Sequence, residues 1–315
     1  MDSLTHALIG IAVAGLSGHQ PALSDPIYIA AVLGSQAPDF DLVAQVRGSM
    51  AYLRQHRAFS HSFPGVALWA LAIAGGLELY FTQMNFLQNL LWAFIGGISH
   101  ILIDYFNTHG VALLWPFKRD RKSTPLLNVF DPALLVLMLV PYTFTIPIKL
   151  LSLTTFGIIA GYIILRYQLR QQASAWLKTY FNSYAITKLW VMPSLSQLLC
   201  WDFVIETDSR VFNGRRGIFR PILTIEANLP KQINLSTFTK KAQQTELGQF
   251  FDLFTPYIFF KEQYLDTNLV KVTIYDLRYY TNQHFIHSAT IIFDLQETSN
   301  VCFLHSMGRT LKVAD

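Results

Sequence analysis

Charged side chains are scarce in this chain of 315 residues: Asp, Glu, Lys and Arg together make up 14%, against about a quarter in ordinary soluble domains. With a mean hydropathy of +0.32, the composition argues for a membrane protein. Cysteine is almost missing as well. Cys200 and Cys302 stand far apart with no CxxC spacing, which gives no basis for a disulfide framework or a thiolate zinc site. Glycine-rich nucleotide loops and aromatic nucleic-acid platforms are not found. The net charge of +4 sits in short basic clusters beside apolar runs, as in juxtamembrane loops, so a lipid bilayer rather than nucleic acid is the expected partner. Basic residues are absent from Met1 to Gly18, where Asp2 and His6 stand in place of the Lys or Arg of a signal peptide, so this segment is expected to remain in the mature protein.

What the chain has instead is long apolar runs. Phe63 to Phe106 contains no Lys or Arg, and its acidic groups are Glu78 and Asp104. A polar break at Thr82-Gln83-Met84-Asn85 divides it into halves that can each cross about 30 Å of hydrocarbon as a helix of roughly 20 residues. Leu126 to Tyr167 carries only Asp131, Lys149 and Arg166 as charges and turns at Pro147-Ile148-Lys149, which predicts a second helical hairpin. Two shorter runs, Leu4 to Leu16 and Ile27 to Gly34, come first; they either tilt and barely span or dip in and return. Arg47, Arg54 and Arg57 precede the first hairpin, Lys118, Arg119, Arg121 and Lys122 follow it, and Arg166, Arg170, Lys178 and Lys188 follow the second. All three clusters fall on one side, which the positive-inside rule assigns to the cytoplasm.

From about Trp190 the sequence becomes β-branched, aromatic and roughly alternating, as in Leu269-Val-Lys-Val-Thr-Ile-Tyr and Ala289-Thr-Ile-Ile-Phe-Asp-Leu, with turn signals such as Asn213-Gly214. The expected architecture is a mainly α-helical integral membrane domain over residues 1–170, with about four long and two short membrane helices. A linker at 171–189 and a small β-rich soluble domain at 190–315 follow, the latter on the cytoplasmic side.

The residues suited to chemistry cluster at the ends of the apolar runs. His6 opens the first, Asp39 follows the second, His56 and His61 precede the third, and Asp104 closes the fourth, so the topology brings these stretches to one membrane face. His100 and Asp104 are four apart and share a helix face. Ionisable groups in such a helix are expensive and mark an ion, a partner or a polar interior; a helix-stabilising His–Asp pair at the interface is the alternative. Imidazole and carboxylate suit zinc, manganese or iron, and a bound ion acidifies water to a pKa of about 7, so no activated Ser or Cys is required. The expected ligands are His56, His100, Asp104 and Asp39, with Asp39 able to bridge to a second ion at His6 and Asp41 ligating or orienting a ligand. His61 reads as a ligand or general acid, or with Ser62 as part of a helix cap. Arg57 can clamp an anionic substrate oxygen or serve as a positive-inside anchor. Asp131-Pro132 reads first as a helix start. His109 is close enough to be a candidate; His19 lies in a turn on the far side, and His284, His287 and His305 fall in the β-rich region without a second ligand set.

At Met1-Asp2-x-x-Thr5-His6 with Gly10, Ala37-Pro38-Asp39-x-Asp41, His56-Arg57-x-x-Ser60-His61-Ser62 and His100-x3-Asp104, the sequence resembles the YdjM/YbcI-type family of membrane-bound metal-dependent hydrolases. Ser60 stands where Thr is common; both carry a hydroxyl. The likeness covers roughly the first half of the chain, to about residue 135, and implies a helical membrane domain with hydrolase activity. The order His, Asp, His, His-x3-Asp also looks like part of the ligand series of zinc-dependent phospholipase C and P1-type nucleases, without their later His…His-x3-Glu set.

The expected function is therefore a membrane-bound metal-dependent hydrolase of the bacterial inner membrane, with zinc favoured and manganese or iron open, acting on a phosphoester or lipid-like substrate at the cytoplasmic face. A metal-binding scaffold or transporter using the same ligands is the alternative, and for it Glu78 and Gly96-Gly97 matter more. A pathway needs polar groups through the bilayer, whereas the sequence concentrates them at one side.

Overall fold

The computed structural model describes residues 1–40, 59–81, 85–118, 120–195, 197–219, 222–281, 284–294, 300–306 and 308–313. The chain divides into two units, Met1–Gln168 and Leu169–Asp315. The first is helical: α1 Ser3–Gly15, α2 Pro26–Gln36, α3 Phe63–Tyr80, α4 Phe86–Tyr105, α5 Pro132–Leu139 with a 3-10 turn at Val140–Thr143, and α6 Ile148–Tyr180, whose last turns belong to the second unit. Side-chain caps set most of the starts. Asp2, Asp25, Ser62, Asn85 and Asp131 each accept a backbone N–H of the first turn of α1 to α5 in order, satisfying donors that have no partner within the helix. Proline in the first turn of α2, α3 and α5 reinforces three of these starts.

Three helices, α3, α4 and α6, are long and apolar enough to cross a membrane. The apolar run expected as a fourth long helix is shorter: α5 has 8 residues and passes into a 3-10 turn, because Pro141 removes a helix donor and Pro147 blocks continuation. At 1.5 Å per residue, α1 and α2 rise only about 20 and 16 Å, short of the roughly 30 Å hydrocarbon core.

Small residues set the spacing inside this unit. A Cβ on Gly34 would stand 2.1 Å from the Ala93 carbonyl oxygen, and one on Gly96 would stand 2.2 Å from that of Ala31. Helices α2 and α4 are therefore in backbone contact, as small-residue stripes permit between apolar helices. Around this contact, Ile9 and Val13 of α1, Ile27 and Tyr28 of α2, Ile103 of α4, Leu134 of α5 and Ile159 of α6 form one apolar cluster with Leu126 and Leu127. Buried Arg166 on α6 donates through Nε to the Leu126 carbonyl at 2.8 Å, tying the loop after α4 to α6.

The second unit is β-rich. Strands β1 Ile186–Pro193, β2 Cys200–Thr207, β3 Arg210–Gly217 and β4 Leu223–Pro230 form an antiparallel meander. After helices α7 Thr237–Gln244 and α8 Glu246–Phe254 come β5 Ile258–Tyr264, β6 Leu269–Asp276, a short β7–β8 hairpin at Tyr280–Thr281 and His284–Phe285, β9 His287–Asp294, β10 Asn300–Ser306 and β11 Arg309–Val313. The five longer strands of this group form an antiparallel sheet in the order β11-β10-β9-β6-β5. Alternation on β2 sends Trp201, Phe203 and Ile205 to one face, where they meet Ala173 and Leu177 of α6, and sends Val204 to the other, against Tyr257 and Leu277. The stretch 171–189, expected as a linker, is largely helix and strand, since α6 continues to Tyr180 and β1 begins at Ile186. No Gly or Pro falls between Tyr162 and Met192, and the apolar positions Ala173 and Leu177 recur at helical spacing.

In this unit Arg278 and Asp276, 4% and 0% exposed, pair at 2.8 Å, with the guanidinium 5.1 Å from the Phe254 ring centre. Replacing Arg278 with Met strands the Asp276 carboxylate and should cost about 3–5 kcal/mol, with the double variant Arg278→Met/Asp276→Asn recovering much of the loss; thermal midpoints of the full chain measure both. In the helical unit, Gly96→Ala should cost about 1–3 kcal/mol by overpacking. Gly75→Ala, whose added methyl meets open space, should leave the midpoint unchanged or slightly raised.

Candidate metal centre

Helix α1 carries His6 in its first turn, α2 ends just before Asp39, α3 begins after His61 and α4 carries His100 and Asp104 in its last turns. The ends of four helices therefore meet at one place. The stripe Ala93, Gly96, Gly97 that admits α2 lies on the face of α4 that continues to His100 and Asp104, so the two ionisable residues turn inward toward α2. The contact fixes the His100 ring: its Nδ1 donates to the Ser35 carbonyl of α2 at 2.7 Å. A carbonyl only accepts, so Nδ1 holds the proton and Nε2 of the neutral ring presents a lone pair.

That lone pair faces other ligand-type atoms. Nε2 of His100 is 3.2 Å from Nε2 of His61 and 3.8 Å from Oδ2 of Asp104. Oδ1 of Asp39 lies 3.4 Å from His61 Nε2 and 3.7 Å from His100 Nε2, and Asp104 Oδ2 is 3.6 Å from His61 Nε2. Four ligands at about 2.0–2.1 Å from a tetrahedral zinc stand roughly 3.3–3.4 Å apart, and these five separations come within about half an ångström of that spacing; His61, His100 and Asp104 form one set able to hold an ion. His61, whose Nδ1 meets Ser60 Oγ at 3.0 Å, also turns Nε2 inward.

On the other side of Asp104, Oδ1 accepts from the Met1 nitrogen and from Asn107 Nδ2 at 3.0 Å, and lies 3.5 Å from His6 Nε2. The His6 ring stacks on His100 with centres 3.6 Å apart, and its Nδ1 is buried without a hydrogen-bond partner among the described residues. Geometry groups His6, Asp39 and His100 as a second set able to hold an ion, although His100 has only one nitrogen to offer. His6, His61, His100 and Asp104 are fully buried, while Asp39 is 22% exposed, so the cluster opens to its surroundings at Asp39.

Of the residues named from sequence, the structure brings together His6, Asp39, His61, His100 and Asp104. Asp41, His56 and Arg57 lie outside the described residues. Asp131 caps α5 and accepts from Tyr162 at 3.1 Å, and His19 pairs with Asp25 in the α1–α2 turn. Two contributors went unnamed at the sequence level, Ser35 and Asn107. Asn107 is three residues past Asp104, and its Oδ1 accepts from the backbone of His109 and Gly110, with Gly110 at φ +68. The signal was the Asn-x-x-Gly turn directly after the ligand helix.

Against known proteins, the model of the YdjM inner membrane protein family matches residues 1–173, the whole stretch that builds this centre. The chain belongs to that family. Its similarity to "Uncharacterized protein YfhP" of Bacillus subtilis (strain 168) is 36% identity over 142 residues, covering 43% of each chain; this chain thus spans less than half of that relative. No solved structure matches. Family membership and the three long apolar helices make this a membrane protein.

Because Asn107 both orients Asp104 and satisfies two backbone donors, Asn107→Ala should cost about 1–3 kcal/mol in stability and weaken divalent-ion binding roughly 10–100-fold. A thermal midpoint and a zinc titration by calorimetry on detergent-purified protein check the two parts separately.

Proposed function

We propose that this chain is a membrane-bound metal-dependent hydrolase in which Asp39, His61, His100 and Asp104 hold one divalent ion. The observation that carries the reading is the convergence of ligand atoms of four residues from three helix ends, with five of their separations at 3.2–3.8 Å and one edge exposed. Two carboxylates and two neutral imidazoles balance a divalent charge. Zinc is favoured, and manganese or iron can take the same donors. An ion held there supplies Lewis-acid polarisation and a water acidified to a pKa of about 7.

The chain's own residues then have distinct tasks. The Ser35 carbonyl holds the His100 proton on Nδ1, leaving Nε2 as an acceptor, and the Ser60 hydroxyl contacts His61 Nδ1, so that His61 Nε2 is the nitrogen turned to the ion. Asn107 fixes the Asp104 carboxylate. Asp39 stands at the opening, where an entering substrate first meets the cluster. His61 is assigned here as a ligand in place of a general acid. A carboxylate facing both sides is better placed to bridge than Asp39, so a second ion at His6 would share Asp104. On sequence grounds alone, Arg57 is assigned to an anionic substrate oxygen and Asp41 to orienting a ligand. The basic clusters support a cytoplasmic location for the cage and the β-rich unit at a bacterial inner membrane, and the apolar surroundings favour a phosphoester or lipid-like substrate.

Elemental analysis of detergent-purified wild type beside His100→Ala and Asp104→Ala tests the reading. Wild type should carry stoichiometric zinc, manganese or iron, both variants should lose it while remaining monodisperse, and hydrolysis of phosphodiester and ester substrates should fall to background with it. Well-folded protein that stays metal-free after reconstitution with these ions overturns the proposal; metal bound without any hydrolysis supports the scaffold reading instead.

A further inference from the structure

The loop after α4 leaves the metal centre and returns to it. Its neck is closed by paired backbone bonds between Val111 and Lys122, at 3.1 and 3.0 Å, and its near side is pinned where Phe63 N–H donates to the Leu113 carbonyl at 3.1 Å. Trp115 packs edge-on against Phe59 with ring centres 5.2 Å apart. At the tip, Leu114 and Phe117 are 50% and 88% exposed. Beyond them runs Lys118-Arg119-Asp120-Arg121-Lys122, four positive charges against one negative. Lys118 and Lys122 are exposed.

Beneath Leu113 the structure has a cavity of about 230 Å³, walled by Phe63 of α3, Ile98, Ile101, Leu102 and Tyr105 of α4, and Leu113 itself. The hydroxyl of Tyr105 is the polar atom among these side chains, and it accepts from Thr124 at 3.2 Å. Leu102 and Phe63 are 58% and 44% exposed on helices long enough to cross a membrane, so the cavity wall faces the bilayer.

We propose that loop 111–122 and this cavity form a binding site for one anionic phospholipid, with part of an acyl chain in the cavity and the headgroup phosphate against Lys118 and Lys122. Both halves are needed to name the occupant. Exposed Phe and Leu beside Lys and Arg describe a segment seated at the headgroup boundary, with aromatic groups at that level. A juxtamembrane run of four basic residues attracts anionic lipid. An acidic peptide satisfies the charges and leaves the apolar cavity unexplained, whereas a neutral lipid does the reverse. No residue of the metal cage takes part, so the site stands independently of hydrolysis.

Native mass spectrometry of the detergent-purified full chain, titrated with phosphatidylglycerol or phosphatidylcholine of identical acyl chains, decides the matter. Wild type should hold phosphatidylglycerol roughly tenfold more tightly or better. Lys118→Gln/Lys122→Gln, which alters exposed side chains and leaves the Val111–Lys122 backbone pairing intact, should bring the two lipids within about threefold of each other. Leu102→Trp should weaken both lipids together and keep their ratio. Equal binding by wild type, an undiminished preference in the lysine variant, or unchanged affinity in Leu102→Trp each overturns the proposal. A dimer peak that disappears in the lysine variant would assign the face to a second copy of the chain and overturn it equally.

Discussion

The backbone contact between α2 and α4 is the constraint on which the rest of the helical unit depends. With Ala31 and Gly34 on one helix and Ala93 and Gly96 on the other, the axes approach closely enough for a carbonyl of α2 to reach an imidazole of α4. Ser35 then sets the His100 tautomer, and that tautomer decides which nitrogen faces the cluster. Larger side chains at the crossing would still give an apolar pair of helices, but His100 would lose the carbonyl that fixes its proton. Packing and chemistry share one helical stripe here, since the small residues continue directly into His100 and Asp104.

Buried ionisable groups in an apolar helix bundle must have their cost offset nearby. The centre does this with neutral groups first. His100 donates from Nδ1 to the Ser35 carbonyl, and His61 meets the Ser60 hydroxyl at its own Nδ1. Asp104, fully buried, receives the Asn107 amide and the Met1 nitrogen on one oxygen while the other faces the two imidazoles. Asp39 keeps some exposure. The loop after α4 therefore matters beyond connection: Asn107, its first polar residue, holds the Asp104 carboxylate.

Much of the scaffold was legible because its signals are local. Asp2, Asp25, Ser62, Asn85 and Asp131 stand before apolar runs and cap them, and alternation in Leu269–Asp276 and His287–Asp294 marks strands by period alone. Where reading stopped short, the deciding residues were prolines or lay in the tertiary structure. Pro141 and Pro147 cut one expected long helix to α5 and a 3-10 turn, and the helical spacing of Ala173 and Leu177 carries α6 past the point where apolar density falls. In the centre, sequence could nominate side chains by type, but not the atoms that meet. Ser35 acts through its carbonyl, which any residue possesses, and Asn107 acts by its place in a turn, so neither advertises itself in a search for His and Asp.

The distribution of polar groups bears on what the centre is for. Helix α3 carries His61 and Ser62 immediately before its start and Glu78 near its end, with an uninterrupted apolar stretch between. Along α4 the described polar residues at the far end are Gln88 and Asn89, and the next comes only at Ser99 and His100. An ion crossing the bilayer along these helices would meet nothing to replace its hydration for most of the thickness. A chemical site has the opposite requirement, since it needs its polar groups gathered where water and an amphiphile's headgroup are both at hand. Helix ends gathered in one place, with the exposed edge of Asp39 among them, meet that requirement, which supports the proposed reaction at the membrane face over passage through it.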